Sequence, residues 1–463
     1  MERFDLIVIG SGMGGFLASA KAASLGAKVA LIERSRLGGT CINFGCFPTK
    51  ALLRAGEVMH EARQGAKWGF EAEVRLDFHR LMQIKSEIVR SIVSDLEATL
   101  SSYPNLTYLP GEASFTSPWE LDLGGELIGA EKIILAAGSR PAIPPVEGLA
   151  GSGYLTNKEI LDLTELPETL VIVGGGAVAL EFAQMFSRFG TRVTVLQRSP
   201  RILPQEDEEA TELLTRCLRE EGIRVETEVN ATSAGVRDGK RWVTARTPEG
   251  EQTFEGDQLL VATGRVPDLE HLRLDRAGVR MVDGRIWVGP RLETSADHIW
   301  CLGDVTGGPA FAHYATYSAE LAVENALLGR DKEVPHALVP GAVFTSPNLA
   351  SVGMTERAAR EQGLPIRVSR IGLQESGKAR IFQETNGFVK LVVDEETERI
   401  LGATIIGFHA GDLIQEVMVA LSAPGNGIGP IVDALHVHPS LGEAVRAAAA
   451  SLRLAFRHAP VGA

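Results

Sequence analysis

The chain has 463 residues, too many for one ordinary core, and this length points to about two to four domains. Its 46 basic residues against 59 acidic ones give a net charge of −13, which argues against a nucleic-acid or anionic-membrane surface. With 44% apolar and 23% charged residues and no apolar run of about 18, it reads as a soluble globular protein without a membrane span.

The chain starts Met1-Glu2-Arg3-Phe4-Asp5 and passes straight into an apolar strand over 6–9. That leaves no room for a secretory signal, so the expected location is cytoplasmic. A Gly-rich turn, an alanine-rich helix to about residue 25 and a strand over 28–32 follow, the opening of a βαβ unit. The turn reads Gly10-Ser11-Gly12-Met13-Gly14-Gly15, the spacing G-x-G-x-x-G. Gly10, Gly12 and Gly15 permit a tight turn and a close approach of backbone N–H groups to a pyrophosphate resting on the helix N-terminus. Glu33, eighteen residues after Gly15, ends the second strand, where a carboxylate accepts from ribose hydroxyls.

Next comes Gly38-Gly39-Thr40-Cys41-Ile42-Asn43-Phe44-Gly45-Cys46-Phe47-Pro48-Thr49-Lys50. Taken bare, C-x4-C could be half of a zinc site, but no second Cys pair or Cys/His cluster supplies the remaining ligands, so no metal is expected. A dithiol at the start of a helix makes better sense, because the helix N-terminus stabilises a thiolate. The chain has only four cysteines. Cys217 lies in an amphipathic helical pattern and Cys301 in an apolar strand-like run, and both are expected to be buried as small hydrophobes.

The same nucleotide-binding plan then repeats. A strand over 170–173 meets Gly174-Gly175-Gly176, with a helix to about residue 189 and a strand over 192–196. Ala179 takes the third glycine's place beside Gly174 and Gly176, and the second strand ends in Gln197-Arg198 rather than an acid. A guanidinium there suits the 2′-phosphate of NADPH, so Arg198, with Arg201 nearby, favours NADPH over NADH. Two dinucleotide sites suggest one bound flavin and one exchangeable nicotinamide. From about residue 334 the texture changes to short alternating strands over 388–393 and 401–406 and helices from 412 and 441, an α+β pattern. The stretch 331–340, with Pro335 and Pro340, reads as a linker. Near the end, His436-Val437-His438-Pro439-Ser440-Leu441-Gly442-Glu443 carries an H-x-H pair and a carboxylate. Pro439 fits the first position of a helix, which would set His438 at its N-terminal edge with Glu443 able to orient the imidazole.

The run Gly39-Thr40-Cys41 through Cys46-x-Pro48-x-Lys50 resembles the active-site signature of the class I pyridine nucleotide–disulfide oxidoreductases, and the likeness extends end to end. Ala136-Ala137-Gly138-Ser139-Arg140-Pro141 and Ala262-Thr263-Gly264-Arg265-Val266-Pro267 resemble that family's ATG-type segments, and 294–304 its second flavin motif. Phe344-Thr345-Ser346-Pro347 resembles the opening of its dimerisation domain, and His438-Pro439-x-x-x-Glu443 its base. The resemblance implies an α/β fold with two Rossmann-like domains and a C-terminal α+β dimerisation domain. It divides the chain into a flavin domain (1–148 and 271–335), an NAD(P) domain (149–270) and an interface domain (336–463).

It further implies FAD and NAD(P)H as cofactors, a homodimer, and roles for single residues. Cys46 would be the thiolate beside the flavin and Cys41 the thiol that attacks the acceptor. Lys50 and Glu181 would pair beside the flavin ring, Asp304 would meet the ribityl chain, and Gly39, Thr40, Ala113, Gly138, Gly264 and Ala312 would join the cofactor-binding set. His438 would act as base, oriented by Glu443, on the cysteines of the other subunit. The stretch 193–204 resembles mercuric reductases, but the chain ends Pro460-Val461-Gly462-Ala463 without a cysteine pair and has Met354 where those enzymes carry a tyrosine. The expected substrate is therefore a small disulfide or dithiol, lipoamide-like. A mercuric-reductase-like metal reductase comes second, and a non-catalytic flavoprotein sensor third.

Overall fold

The computed structural model describes residues 1–335 and 338–457. The expected linker is therefore described except at 336–337, and the terminal residues 460–463 lie outside the described part.

The first unit is built on a seven-stranded sheet. Its parallel part runs Leu106–Pro110, Val29–Glu33, Glu2–Ile9, Glu126–Leu135, and the last of these also pairs with Ile299–Cys301. Glu120–Leu123 and Ala113–Ser117 extend it antiparallel. Leu6, Ile7, Val8 and Ile9 are all at most 4% exposed, because a parallel strand covered on both faces needs a continuous apolar run rather than alternation. The pairing of Ile299 with Ile133 brings the chain back into this sheet after a second unit has been built.

That second unit has a four-stranded parallel sheet in the order Arg224–Glu226, Arg192–Leu196, Thr169–Val173, Gln258–Val261. Beside it lies an antiparallel meander over Asn230–Arg237, Lys240–Thr247 and Gly250–Gly256. A two-stranded ribbon, Ser139–Pro141 with Arg265–Pro267, ties the chain's exit from the first unit to its return. The C-terminal unit is a five-stranded antiparallel sheet, Gly341–Val343, Asn348–Gly353, Ile400–Gly407, Phe388–Asp394, Ile366–Gly372, covered by the helices Ala410–Ser422 and Gly442–Arg457. The fold is thus the expected α/β architecture with a distinct C-terminal α+β unit.

One helix pair positions the centre of the molecule. Cys46–Arg63 runs alongside Ala177–Phe189, close enough that a Cβ on Gly56 would stand 3.6 Å from Arg188 Cβ and 3.7 Å from the Phe189 ring. Phe182, Phe186 and Phe189 bury their rings on this second helix, and Phe78 packs on Phe186 at 6.5 Å and Phe189 at 6.3 Å between ring centroids. Each such ring contributes about 1.5–3 kcal/mol by burial. This cluster fixes Lys50, one turn into the first helix, opposite Glu181.

Candidate functional site

The two glycine turns fold alike. Gly10 (φ 104°) and Gly174 (φ 123°) occupy the left-handed region, and a Cβ on them would meet the carbonyl oxygens of Ala136 at 2.3 Å and Ala262 at 2.2 Å. Only glycine fits there. Gly12 and Gly176 instead have nothing within 4 Å of where a Cβ would stand. The helices Met13–Ser24 and Ala177–Phe189 begin directly after them, so free backbone N–H groups and the positive end of each helix face that open side. Gly15 packs on the Gly10 carbonyl and Ala179 is buried.

The acid ending the second strand is already organised. Glu33 Oε2 accepts from the Ser11 N–H at 2.9 Å and the Ser11 hydroxyl at 2.8 Å, while Oε1 accepts from the Ser35 N–H at 2.8 Å. Ser11 Oγ also accepts from the Gly38 N–H at 3.2 Å. One serine therefore joins the first turn, the acid and the segment leading into the cysteines. Ser11 filled only a variable place in the G-x-G spacing and carried no signal.

Cys41 sits in the short helix Gly39–Phe44, and Cys46 is the first residue of the long helix Cys46–Arg63. A Cβ on Gly45 would stand 2.9 Å from the Thr40 carbonyl, so the turn between the two helices closes tightly and brings the thiols together. Asn157 Nδ2 donates to the Phe44 carbonyl at 2.7 Å, and Asn43 Nδ2 donates to the carbonyls of Leu37 and Gly39 at 2.9 and 3.0 Å. The two thiols are not equivalent. A hydrogen bond from Cys41, helped by the nearby Lys50 ammonium, lowers the Cys46 thiol to about 7 against the opposing effect of burial. That same hydrogen bond, then burial, pushes Cys41 up, so Cys41 keeps its proton. Cys217 and Cys301 are buried, and burial raises both thiols.

Lys50 Nζ lies 2.7 Å from Glu181 Oε2, and Glu181 Oε1 accepts the Phe344 N–H at 3.0 Å. The Lys50 ammonium also stands 4.6 Å from the Phe344 ring centroid. Three residues along the same helix, Gln184 exchanges two hydrogen bonds with the Ser346 backbone at 2.8 and 2.7 Å. A turn further, Arg188 pairs with Glu221 at 2.9 Å and donates to Ser346 Oγ at 3.1 Å. Thus one helix face grips 344–346 and brings the C-terminal unit to the Lys50–Glu181 pair. Phe344, which opens the run Phe344-Thr345-Ser346-Pro347, takes part through its ring and its backbone N–H, a role that its place in that run does not specify.

Asp304 lies in the short turn Gly303–Thr306, where Oδ2 accepts from Ser139 Oγ at 2.5 Å. Arg265 Nε donates to the same hydroxyl at 2.7 Å and stands 3.7 Å from Asp304 Oδ2. Asp304 therefore touches both ATG-type segments. Gly138 (φ 73°) and Gly264 (φ 118°) are turn residues with open space beside them. Ala312 starts the helix Ala312–Leu328, and Ala113 is the buried first residue of its strand.

In the second unit Gln197 is buried, its side chain lying against Gly175, and the Leu203 N–H donates to the Gly175 carbonyl at 3.0 Å. Segment 197–203 thus packs on the glycine turn. Arg198 is exposed and, among the described residues, makes no ion pair or side-chain hydrogen bond. Arg201 differs: it bonds Glu208 Oε1 at 3.1 Å and Thr211 Oγ1 at 3.2 Å.

The C-terminal histidine differs from expectation in one respect. Pro439 does not begin a helix; the helix starts at Gly442, and its first turn closes from the Ala444 N–H onto the Leu441 carbonyl. The intervening turn is held by Glu443, whose Oε2 reaches back to accept the Ser440 N–H at 2.9 Å. Its other oxygen accepts from His438 Nδ1 at 2.9 Å, so one carboxylate fixes both turn and imidazole. The bond from His438 holds the Glu443 carboxyl below its usual range. His438 itself is 80% exposed. His436 belongs elsewhere: Nε2 meets Glu416 at 2.5 Å and Nδ1 the Ala434 carbonyl at 3.0 Å.

No helix among the described residues is long and apolar enough to cross a membrane. Residues 4–319 match the family model for pyridine nucleotide-disulphide oxidoreductase, and residues 339–449 match that family's dimerisation domain. The chain is 36% identical to a dihydrolipoyl dehydrogenase of Thermus scotoductus, covering 98% of both proteins. It is 35% identical to a mercuric reductase of Staphylococcus aureus over 96% of this chain and 82% of that one. Among solved structures, the Cu(II) complex of the HOCl-induced flavoprotein disulfide reductase RclA from Escherichia coli superposes with a TM-score of 0.87 at 31% identity, covering 97% of this chain and all of that one. The family works with FAD and pyridine nucleotides. With its fold, its paired glycine turns and its neighbouring cysteines all in agreement, the chain belongs to the pyridine nucleotide-disulphide oxidoreductases.

Proposed function

We propose that this flavoprotein reduces, or reversibly oxidises, a small disulfide/dithiol substrate of the lipoamide type through Cys41 and Cys46, using NADPH in preference to NADH. The observation that carries the reading is the juxtaposition of Cys41 and Cys46 across the tight Gly45 turn, with the Lys50–Glu181 pair one helical turn away, an arrangement that favours the thiolate at Cys46 and the thiol at Cys41. A thiolate next to a proton-bearing thiol is the reduced, electron-donating side of a dithiol–disulfide exchange, and it needs a base for the remaining proton.

The residues fit the cofactors the family uses. The open sides of Gly12 and Gly176 at two helix starts suit two pyrophosphates, and Glu33, fixed by Ser11, suits a ribose. Thr40, Lys50, Asp304 and Ala312 are assigned to the flavin; Glu181 is assigned to the nicotinamide side; Arg198 is assigned to the 2′-phosphate. The sheets support a flavin domain over 1–148 and 271–335, a nucleotide domain over 149–270 and an interface domain from 336. Bound FAD would supply the relay of an electron pair from NAD(P)H to the cysteine pair.

The remaining chemistry belongs to the side chains. His438, oriented by Glu443, takes the Cys41 proton. The Cys41 thiolate attacks one sulfur of the substrate disulfide, forming a mixed disulfide and expelling a thiolate that receives the proton from His438. Cys46, as its thiolate, then attacks Cys41, closing the protein disulfide and releasing the second substrate sulfur as a thiol after protonation from solvent. Atoms and electrons balance as one dithiol and one disulfide exchanged for another pair. Among the described residues His438 makes no hydrogen bond to either cysteine of its own chain, and it is flanked by the exposed apolar side chains of Leu435 and Val437. These features support a homodimer in which each subunit lends its base to the other.

Reduction of a thiol-binding metal ion is the second reading, favoured by likeness to the mercuric reductase and to RclA, which was solved with Cu(II). Of the four cysteines, Cys41 and Cys46 are the two that are not buried, so they are the thiolates a metal ion would meet. A steady-state panel of lipoamide, glutathione disulfide, Hg(II) and Cu(II) with each nucleotide separates the readings. Turnover of lipoamide well above the metals supports the proposal, and turnover of a metal ion alone overturns it.

A further inference from the structure

Four consecutive acids at the start of the helix Glu208–Glu220 reach across to the C-terminal unit. Glu206 bonds the Ser351 side chain, Asp207 pairs with the buried Lys390 at 2.9 Å, and Glu209 meets Arg370 at 2.5 Å. Glu208 differs from its neighbours because it faces two ways. Its Oε1 is 2.6 Å from Arg357 Nη1 in the C-terminal unit and 3.1 Å from Arg201 Nη2 in the nucleotide unit. Asp207 also caps the same helix by accepting the Ala210 N–H at 3.2 Å, so the helix start cannot slide. Glu208 is thus anchored from the side away from the nucleotide turn.

Arg201 stands three residues beyond Arg198, on the segment that packs against Gly175 through Gln197 and Leu203. A second guanidinium on this segment would be the natural partner of a 2′-phosphate. It is instead bound to Glu208 and Thr211, while Gln197 Nε2 holds the Arg201 carbonyl at 3.1 Å. We propose that Glu208 is a specificity-determining residue: by neutralising and tethering Arg201, it leaves Arg198 as the free guanidinium of the segment 198–201 for the 2′-phosphate and so limits the preference for NADPH. The inference rests on the assignment of Arg198 to that phosphate. Glu208 reaches the nucleotide through Arg201, as a positioning residue, and through Arg357 the C-terminal unit restrains it.

The pair is half-exposed, with 22% of the Arg201 and 49% of the Glu208 side chain accessible, so the effect is modest. The test is equilibrium binding of NADPH, NADH and adenosine 2′,5′-bisphosphate to the holoprotein, using wild type, Glu208→Gln, Glu208→Gln/Arg201→Ala and Arg198→Ala. Glu208→Gln is expected to tighten NADPH and the bisphosphate about two- to fivefold relative to NADH, the range of an exposed ion pair. The double variant is expected to lose that gain. An unchanged NADPH-to-NADH ratio in Glu208→Gln overturns the inference, as does a gain that survives removal of Arg201. Arg198→Ala tests the underlying assignment by itself: a ratio it does not alter removes Arg198 from the 2′-phosphate, whatever Glu208→Gln does.

Discussion

Lys50 Nζ lies 2.7 Å from Glu181 Oε2, although the two residues are separated by 131 positions and belong to units built on different sheets. The two charges act on Cys46 with opposite signs: the ammonium favours the thiolate and the carboxylate opposes it. Lys50→Met is therefore expected to raise the Cys46 thiol above about 7, and Glu181→Gln to lower it. Thiolate absorbance followed against pH reads both. Shifts in the same direction would show that the pair acts on the fold rather than on the sulfur.

The partner thiol makes a second prediction. Because the hydrogen bond from Cys41 is the main cause of the lowered Cys46 value, Cys41→Ser, which keeps a donor, leaves the Cys46 thiolate titrating near 7. Cys41→Ala removes the donor and moves that titration upward. Both variants lose disulfide turnover, and turnover retained in either would sink the role given to Cys41.

His438→Ala is expected to slow disulfide turnover about 10²–10⁴-fold, the range for a lost acid–base group. Flavin reduction by NADPH should stay fast in stopped-flow, since the proposed role of His438 is confined to the sulfur half of the reaction. If both halves slow equally, the base assignment is wrong. Glu443→Gln should have a smaller effect, because the amide oxygen still accepts from the His438 ring.

Arg198→Glu replaces an exposed, free guanidinium by a carboxylate. Losing a hydrogen bond to a charged group costs about 1.5–3 kcal/mol, which corresponds to roughly 10- to 100-fold weaker NADPH binding, with NADH little changed. An unaltered cofactor ratio rejects the 2′-phosphate argument.

A stability prediction concerns the joint between units. Lys390 and Asp207 are 8% and 5% exposed, and Lys390→Ala leaves the carboxylate buried beside no cation. The cost is about 3–5 kcal/mol, visible as a lower thermal midpoint. Lys390→Met/Asp207→Asn, which removes both charges, should recover most of it. A double variant as unstable as the single one would place the defect in packing.

Much of this architecture was legible because its signals are local. The βαβ openings, the glycine turns and the acid at Glu33 follow from spacing and strand pattern, and the strand Arg192–Leu196 was read to the residue. The pairs Lys50–Glu181 and His438–Glu443 follow from the resemblance, but the hydrogen bonds that steady the site do not, because they come from backbone groups and variable positions. Ser11 holds Glu33 from a variable position, and Phe344 binds Glu181 through a backbone N–H. Pro439 misled for a related reason: proline suits a helix start, but the Glu443 carboxylate spends that turn on Ser440 and His438, and the helix begins at Gly442. Arg201 looked like a second phosphate ligand in sequence, and only its distance to Glu208 shows that it is engaged.

In the proposed reaction, electrons from NADPH reach the acceptor by way of Cys41 and Cys46. Anaerobic addition of NADPH to the oxidised holoprotein, followed by thiol counting after denaturation, tests it most directly. Wild type is expected to gain the thiols of Cys41 and Cys46 on reduction, and Cys41→Ser to gain none. Flavin bleaching in wild type with no gain in thiols would contradict it.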